Sequence, residues 1–331
     1  MNNQWQVLAV HSDNQNSTMK FTFLLPAYKG RFLDEMLRSI QDQTYTDFKV
    51  IISDDCSPES LKSICEPYLS DPRFTYRRNA ENMGIKSLVS HWNMLIDMCD
   101  TEYLILASDD DIYAATFLEE ANKLTLRHPE VDLIRSNVKR IDANGIVTAM
   151  DDPSLEYEPQ IDFLYNLFCR RRLKCIANYV FRTSSLKSAG GFVYFPLAWG
   201  SDDITVMRES KNGVCNISHT LFYFRLSGLN ITTNSSEEVI IKRIKAREQN
   251  LIWFDDFAKT IKLDGTPLHK NRFHDFKTFY ITEWTKTIVD GSCFLPWKEF
   301  SSCYSFLKKR KAITGFMEKV HLLWTWIRAH R

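Results

Sequence analysis

The chain has 331 residues, with 42 Lys and Arg against 41 Asp and Glu, a formal net charge of +1, and 44% apolar residues. This length suits one large domain with an extension, or two domains, and either arrangement can bury a sizeable core. The balanced charge excludes nonspecific electrostatic binding of nucleic acid by the protein as a whole. The composition excludes a disordered or collagen-like chain.

The N-terminal residues and the cysteines bear on cellular location. Residues 1–20 are polar and lack the apolar stretch of a secretory signal, and the eight cysteines are scattered without a C-x-x-C pair, as expected for reduced thiols. No run of about 18 uncharged apolar residues occurs, so no membrane-spanning helix is predicted. We therefore expect a cytoplasmic protein, and peripheral attachment to the inner face of the membrane stays open.

Strands and helices alternate through the first third of the chain. Short apolar runs predict strands at 21–25, 48–52, 74–76 and 103–107. Stretches with helical periodicity lie between them, at 32–43, 59–69 and 85–99. This alternation predicts an α/β fold with a mostly parallel central sheet and flanking helices.

The next part of the chain is predicted to continue the sheet and to end in helices. The predicted elements are a helix at 113–127, a strand at 131–136, a hairpin at Asn144-Gly145, a strand at 176–182 and a helix at 204–210. From Glu237 onward the pattern is helical. We expect a polar segment at 1–20, an α/β domain at 21–233 and a helical extension at 234–331.

Polar residues follow three of the predicted parallel strands. These residues are Pro26, Ala27 and Tyr28, then Asp54 and Asp55, then Asp109, Asp110 and Asp111. Parallel sheets bind their ligands beyond the carboxyl ends of the strands. The three loops should therefore converge on one crevice.

The three consecutive carboxylates at 109–111 repel one another unless a cation or a basic group neutralises them. Hard oxygen ligands at a loop suit Mg²⁺ or Mn²⁺, which keep water ligands and bind substrate phosphates. The alternative is that the acids only cap the following helix, and Asp54 and Asp55 have the same alternative.

Two further features have both a functional and a structural interpretation. Asp202 and Asp203 open a predicted helix, where one carboxylate can act as a general base or both can serve as helix caps. Gly84, which follows Asn82 before another helix, can approach a phosphate closely, although such a loop is also typical of an ordinary turn.

Taken in order, these motifs resemble those of the family 2 glycosyltransferases of the GT-A fold, which are inverting enzymes that use nucleotide sugars. The resemblance covers about residues 21–232. It rests on seven ordered segments, which are Leu25–Tyr28, Ser39–Tyr45, Ile52–Ser57, Asn82–Gly84, Ala107–Asp111, Phe181–Phe192 and Ser201–Asp203.

The resemblance assigns roles to individual residues. It implies that the nucleotide is bound by Pro26, Ala27, Tyr28, Asp54, Asp55, Asn82, Gly84, Asp109 and Arg225. It implies a divalent metal, Mn²⁺ or Mg²⁺, at Asp109, Asp110 and Asp111, with Asp110 as the first choice. It implies a catalytic base at Asp202, or at Asp203 if the alignment shifts by one residue. Arg225 either lies near the donor diphosphate or pairs with a surface acid.

The expected function is transfer of a sugar, with inversion, from a nucleotide sugar to a hydroxyl of a glycan or lipid-linked acceptor. By resemblance the donor is a UDP-sugar and the product a surface polysaccharide such as capsule or O-antigen. One alternative is a catalytically inactive glycan-binding or scaffold protein with the same fold. Another is a nucleotidyltransferase acting on a sugar phosphate.

The C-terminal segment at 308–331 combines seven Lys and Arg residues with Trp324, Trp326 and several aliphatic residues. This composition is typical of a helix that lies on an anionic lipid surface. The segment can equally pack on the catalytic domain or bind a partner.

Overall fold

The computed structural model describes residues 19–170, 172–226, 236–312 and 316–329. Its first four strands run parallel and alternate with helices along the chain. In chain order these elements are β1 (Phe21–Ala27), α1 (Leu33–Gln41), β2 (Phe48–Asp54), α2 (Leu61–Cys65), β3 (Phe74–Arg78), α3 (Met83–Met98) and β4 (Tyr103–Leu106). The predicted alternation of strand and helix is confirmed in this part of the chain.

The remaining strands continue the same sheet. They occur, with their helices, as β5 (Ile112–Tyr113), α4 (Phe117–Arg127), β6 (Leu133–Asp142), β7 (Val147–Met150), β8 (Tyr157–Glu158), α5 (Gln160–Phe168), β9 (Tyr179–Arg182), α6 (Thr183–Ser188), α7 (Ser201–Glu209) and β10 (Val214–Leu226). The strand order is β3-β2-β1-β4-β9-β6-β10-β5, with β7 on β6 and β8 on β10.

Strand direction determines which strand ends share an edge of the sheet. Strand β9 is antiparallel to both β4 and β6, and β10 is parallel to β6. Strands β6 and β10 therefore run in the same direction as β1 to β4. The carboxyl ends of these six strands lie at one edge, as expected for the predicted mostly parallel sheet.

Both faces of the sheet are covered. Along β1, Phe21, Phe23 and Leu25 pack into one apolar core with α1 and α4, whereas Leu24 packs into a second core with α3 and α5. Successive residues of a strand point to opposite faces, so a strand buried on both sides is a continuous apolar run. This is why the apolar runs predicted these strands correctly.

Several predicted boundaries were wrong and one long strand was missed. The helix predicted from Tyr113 begins at Phe117, because Ile112–Tyr113 pair with β10 as strand β5. The helix predicted from Ile204 begins at Ser201. Strand β10 was not predicted at all. The Asn-Gly hairpin is confirmed, with β7 antiparallel to β6 and Gly145 at φ +81°.

Four helices lie in the described residues after β10, in agreement with the predicted helical character. They are α8 (Glu237–Thr260), α9 (Pro267–Ser292), α10 (Trp297–Lys309) and α11 (Phe316–Ala329). Phe254 and Tyr280 stack with ring centroids 4.2 Å apart, and Tyr280 contacts Phe168 of α5. Helices α8 and α9 therefore share a core with the sheet, whereas α10 and α11 pack with α8 and α9 in a separate core.

Some expectations fall outside the described residues. The predicted boundary at 233 lies within 227–235, and most of the polar segment at 1–20 lies within 1–18. Among the helices that are described, none is long and apolar enough to cross a membrane.

A buried ion pair joins β6 to the segment before β9. Arg135 Nη2 lies 2.6 Å from Asp151 Oδ2, and both side chains are fully buried. Both partners also hold Leu173, whose N–H donates to Asp151 Oδ1 over 2.7 Å and whose carbonyl accepts from Arg135 over 3.0 Å. The pair thereby fixes the position of the residue that precedes Lys174.

We expect Arg135→Met to lower the free energy of unfolding by about 3–5 kcal/mol, because it leaves the buried Asp151 charge without its cation. Denaturant titration of wild type and variant measures this difference. Lys242→Met is the matched control, since its partner Glu238 is exposed and the titration midpoint should not change. An Arg135→Met protein that unfolds at the wild-type midpoint would contradict this account of the pair.

Candidate functional site

The structure brings the three predicted loops together at the carboxyl edge of the sheet. Asp109, which follows β4, accepts hydrogen bonds through Oδ2 from the main-chain N–H groups of Tyr28 (2.9 Å) and Lys29 (2.8 Å), which follow β1. The N–H of Asp55, which follows β2, donates to the carbonyl of Ala27 over 2.8 Å. Pro26 and Ala27 form the last residues of β1 itself, and Tyr28 is partly exposed beyond them.

Asp55 links this edge to the loop that begins α3. Its carboxylate accepts from the side-chain amide of Asn79 (2.8 Å) and from the N–H groups of Met83 (2.8 Å) and Gly84 (2.7 Å). A Cβ on Gly84 would lie 3.0 Å from Asp55 Oδ2. Gly84 therefore permits close approach of an anion, and in this structure that anion is the Asp55 carboxylate. Asn82 lies beside it, partly exposed.

Asp54 has a supporting position. Its side chain is fully buried and accepts from the N–H of Ser57 (2.8 Å), the hydroxyl of Tyr76 (2.6 Å) and the guanidinium of Arg78 (2.5 Å). These contacts shape the loop after β2. They leave Asp55 rather than Asp54 next to the loop of Asn82.

The loop after β4, residues 109–111, concentrates buried negative charge. All three aspartates are buried. Burial, and to a lesser extent the charge of Asp110, raises the pKa of Asp109 and raises that of Asp111 well above its usual range. Asp110 accepts a hydrogen bond from the Ser108 hydroxyl over 2.7 Å. A cation at this loop would relieve the repulsion between the carboxylates.

The donor atoms of this loop fit a hard divalent cation. Across the described residues, no group of three or more His, Cys, Asp or Glu side chains is arranged to hold a metal by itself. Mg²⁺ and Mn²⁺ do not need such a group, because they keep water ligands and are completed by phosphate oxygens. One or two carboxylates of Asp109, Asp110 and Asp111 are enough for that chemistry.

Arg225, at the end of β10, supports the acidic loop through hydrogen bonds to Asp110 and Asp111. Its main-chain N–H donates to Asp111 Oδ1 (2.9 Å). Its side-chain Nε–H donates to the carbonyl of Asp110 (2.9 Å), and its Nη2 donates to Glu35 (2.7 Å). The guanidinium also lies 4.3 Å from the ring centroid of Phe32. Arg225 is only 2% exposed, so the structure does not present it to the open crevice.

Asp202 and Asp203 open α7 and have different surroundings. Asp203 Oδ2 lies 2.8 Å from Lys174 Nζ. Burial, followed by the charge of Asp203, raises the pKa of Asp202 to about 6, although the Lys174 charge and main-chain N–H groups act in the opposite direction. Asp203 is thus committed to an ion pair, and Asp202 is the carboxylate whose pKa lies close to neutral pH.

The turn before α7 is held by α8. Gly200 has φ +82°, and a Cβ there would lie 2.5 Å from Asn250 Oδ1 and 2.8 Å from the Trp284 ring. Asn250 donates to the carbonyl of Trp199 over 3.2 Å, and the Arg243 guanidinium lies 4.4 Å from the Trp199 ring centroid. The helices after 236 therefore position the start of α7.

A short segment connects the two acidic groups. Lys174 pairs with Asp203, and burial, followed by the charge of Asp111, raises the pKa of the neighbouring Cys175 thiol well above its usual range. Sequence analysis did not assign Lys174, Asn250 or Glu35 to the site. The only signal was the basic cluster at 170–174, of which residue 171 lies outside the described residues.

Residues 22–182 match the family model described as Glycosyl transferase family 2. This segment is a family 2 glycosyltransferase domain. It contains the three strand-end loops, whereas Asp202, Asp203 and Arg225 lie beyond the matched residues. The family resemblance predicted from the ordered motifs is confirmed, and with it the class of enzyme.

Two curated glycosyltransferases are similar in sequence. The poly(ribitol-phosphate) beta-N-acetylglucosaminyltransferase TarS of Staphylococcus aureus is 25% identical over 221 residues, which are 62% of this chain and 35% of TarS. The glycosyltransferase GlyG of Streptococcus pneumoniae is 25% identical over 120 residues, 36% of this chain and 39% of GlyG. The matched region thus spans little more than a third of the length of these relatives.

Solved structures share the fold. The crystal structure of S. aureus TarS 1–349 in complex with UDP-GlcNAc superposes with a TM-score of 0.62 at 17% identity and covers 85% of this chain and 83% of that chain. A mannosyltransferase from Pyrobaculum calidifontis, in complex with GDP-Man and Mn²⁺, has a TM-score of 0.53 at 17% identity and covers 99% and 84%. The predicted GT-A fold with its helical C-terminal region is confirmed.

Proposed function

We propose that this glycosyltransferase moves a sugar from a UDP-sugar to a hydroxyl group of a cell-surface polymer, with inversion at the anomeric carbon. The observation that carries the proposal is the presence of two buried acidic groups. One is the buried carboxylate loop at 109–111, and the other is Asp202, whose pKa is raised to about 6. The family match, the name of TarS and its complex with UDP-GlcNAc support UDP-GlcNAc as the first donor to test.

The nucleotide would lie at the edge formed by β1, β2 and the loop before α3. In this proposal the base and ribose contact the backbone of Pro26 and Ala27, the ring of Tyr28, and Asp55. Asn82, Gly84 and Asp109 complete the pocket, and Asp54 supports it. The hydrogen bonds of Asp109 to residues 28 and 29 hold the nucleotide loop against the acidic loop. Arg225 would act indirectly, since its guanidinium is bound to Glu35 and Asp110.

Asp110 would be the first ligand of a divalent Mn²⁺ or Mg²⁺, with Asp109 or Asp111 completing the protein's share. The cation, when bound, supplies electrostatic stabilisation of the charge that develops on the leaving diphosphate. The buried carboxylates would hold the diphosphate end of the donor through this cation.

Asp202 would act as the general base. A base works best when its pKa lies near the working pH, and Asp202 is closer to that value than an ordinary aspartate. It would accept the proton of the acceptor hydroxyl as the oxygen attacks the anomeric carbon and the nucleoside diphosphate leaves from the opposite face. Asp203, held by Lys174, would tune Asp202 rather than take the proton itself.

The surface that the C-terminal helix α11 contacts stays a prediction. In α11, Trp324 is 52% exposed and Leu323 and Ile327 are also exposed, whereas Leu322 is buried. Trp326 packs against Trp297 of α10. The helix thus has one packed side and one exposed apolar side, which agrees with either packing on its own domain or contact with a lipid surface.

Replacing the base tests the reaction directly. We expect Asp202→Asn to lower turnover about 10²–10⁴-fold, the range for positioned proton transfer, while UDP-GlcNAc binding is kept. UDP release with poly(ribitol phosphate) as acceptor measures turnover, and calorimetry measures donor binding. Asp203→Asn is the matched control and should retain more activity. Wild-type turnover in Asp202→Asn would remove this residue from the chemistry.

The pH dependence of kcat/KM tests the environment of Asp202. The base must be ionised, so the wild-type rate should fall as the pH drops through about 6. Asp203→Asn removes a negative charge that raises the Asp202 pKa and should move this acid limb to lower pH. Lys174→Gln removes a positive charge that lowers it and should move the limb to higher pH. Shifts of opposite sign would show that another group controls the acid limb.

A further inference from the structure

A cavity of about 320 Å³ lies outside the strand-end loops. It is enclosed by the segment after β7, by α5 and the residues that follow it, and by the start of α9. The residues that matter here are Asp152, Glu158, Asn166, Arg170, Arg172 and Arg272. None of the residues assigned to the nucleotide or to the base lines it.

The cavity wall carries four carboxylates and three guanidinium groups, and most of these charged groups are paired. Arg172 binds Glu158 through both terminal nitrogens, at 2.7 and 2.9 Å, and Arg272 lies 2.5 Å from Asp162. An anionic ligand would meet a carboxylate beside each of these two guanidinium groups. The wall is therefore poorly suited to a phosphate, although it is rich in arginine.

The same wall is well suited to hydroxyl groups. Arg170 and Asp152 are exposed and offer donors and acceptors, and Asn166 offers an amide whose Nδ2 is bonded to Glu158. Apolar side chains are also present, since Leu155 and Met150 are 73% and 59% exposed. Hydroxyl groups both donate and accept hydrogen bonds, so a sugar or polyol matches a lining of this kind.

The cavity is connected to the candidate base by a very short piece of chain. Arg172 lines the cavity, Leu173 is clamped by Asp151 and Arg135, and Lys174 pairs with Asp203. Two residues of extended chain span at most about 7 Å. The wall of the cavity and the ion pair of Asp203 therefore share one short segment of chain.

We propose that this cavity binds an uncharged sugar or polyol unit of the acceptor. The assignment rests on the proposed function, which makes a polyhydroxylated polymer the second substrate. Arg272 belongs to α9, so the C-terminal helices contribute directly to the acceptor site.

Ligand-observed saturation-transfer NMR with ribitol, methyl N-acetyl-β-D-glucosaminide and inorganic phosphate tests this assignment on the full chain. At least one neutral probe should bind saturably, and its affinity should fall about tenfold or more in Arg170→Ala and in Leu155→Trp, which fills the cavity mouth. Both positions are exposed, so the variants should fold. Lys259→Ala, on an exposed part of α8, is the matched control and should bind like wild type.

Three results would overturn the assignment: no binding of either neutral probe, neutral binding that survives both variants, or binding of phosphate alone. UDP binding, measured in the same samples by calorimetry, should be unchanged in every variant. A wild-type protein that binds UDP but neither neutral probe would contradict only the acceptor cavity. Absence of UDP binding in wild type would count against the proposed function and leave the cavity result to stand by itself.

Discussion

The hydrogen bonds between the Asp109 carboxylate and the main-chain N–H groups of residues 28 and 29 join the end of β4 to the end of β1. The rest of the site depends on the same constraint, which is that a buried carboxylate needs hydrogen-bond donors. Asp55 is bonded by the N–H groups at the start of α3, and Asp111 by the N–H of Arg225. Main-chain donors satisfy the oxygens without neutralising their charge. The carboxylates of the loop after β4 therefore still repel one another. A divalent metal bound to a diphosphate would relieve this repulsion.

The second acidic group depends on a different part of the chain. The start of α7 is fixed by the close contact of Gly200 with Asn250 of α8. Lys174, which pairs with Asp203, is held in place from the other side by the buried Arg135 pair. The helices after 236 are thus part of the framework of the site. The family domain at 22–182 does not contain all of the proposed site, since Asp202 and these helices lie beyond it.

The convergence of the strand-end loops could be predicted because it needs only the direction of the strands and the local sequence. Other features could not be predicted because they depend on contacts between distant residues. The pairing of Lys174 with Asp203 leaves only the basic cluster at 170–174 as a signal, and the contact of Asn250 with Gly200 leaves none. Strand β10 was missed because polar and apolar residues are mixed along it, and its pairing with β6 is interrupted by irregularities. The burial of Arg225 depends on the pairing of β10 with β6, and so do its hydrogen bonds to the acidic loop.

Calorimetric titration of the full chain with UDP, in Mn²⁺ and in EDTA, tests the central claim that the buried carboxylates form a metal and diphosphate site. The account predicts that Mn²⁺ tightens UDP binding about tenfold or more and that Asp110→Ala removes this gain. Asp100→Ala, at a largely exposed carboxylate, should behave like wild type. UDP affinity that is the same with and without Mn²⁺, in wild type as in Asp110→Ala, would contradict the account.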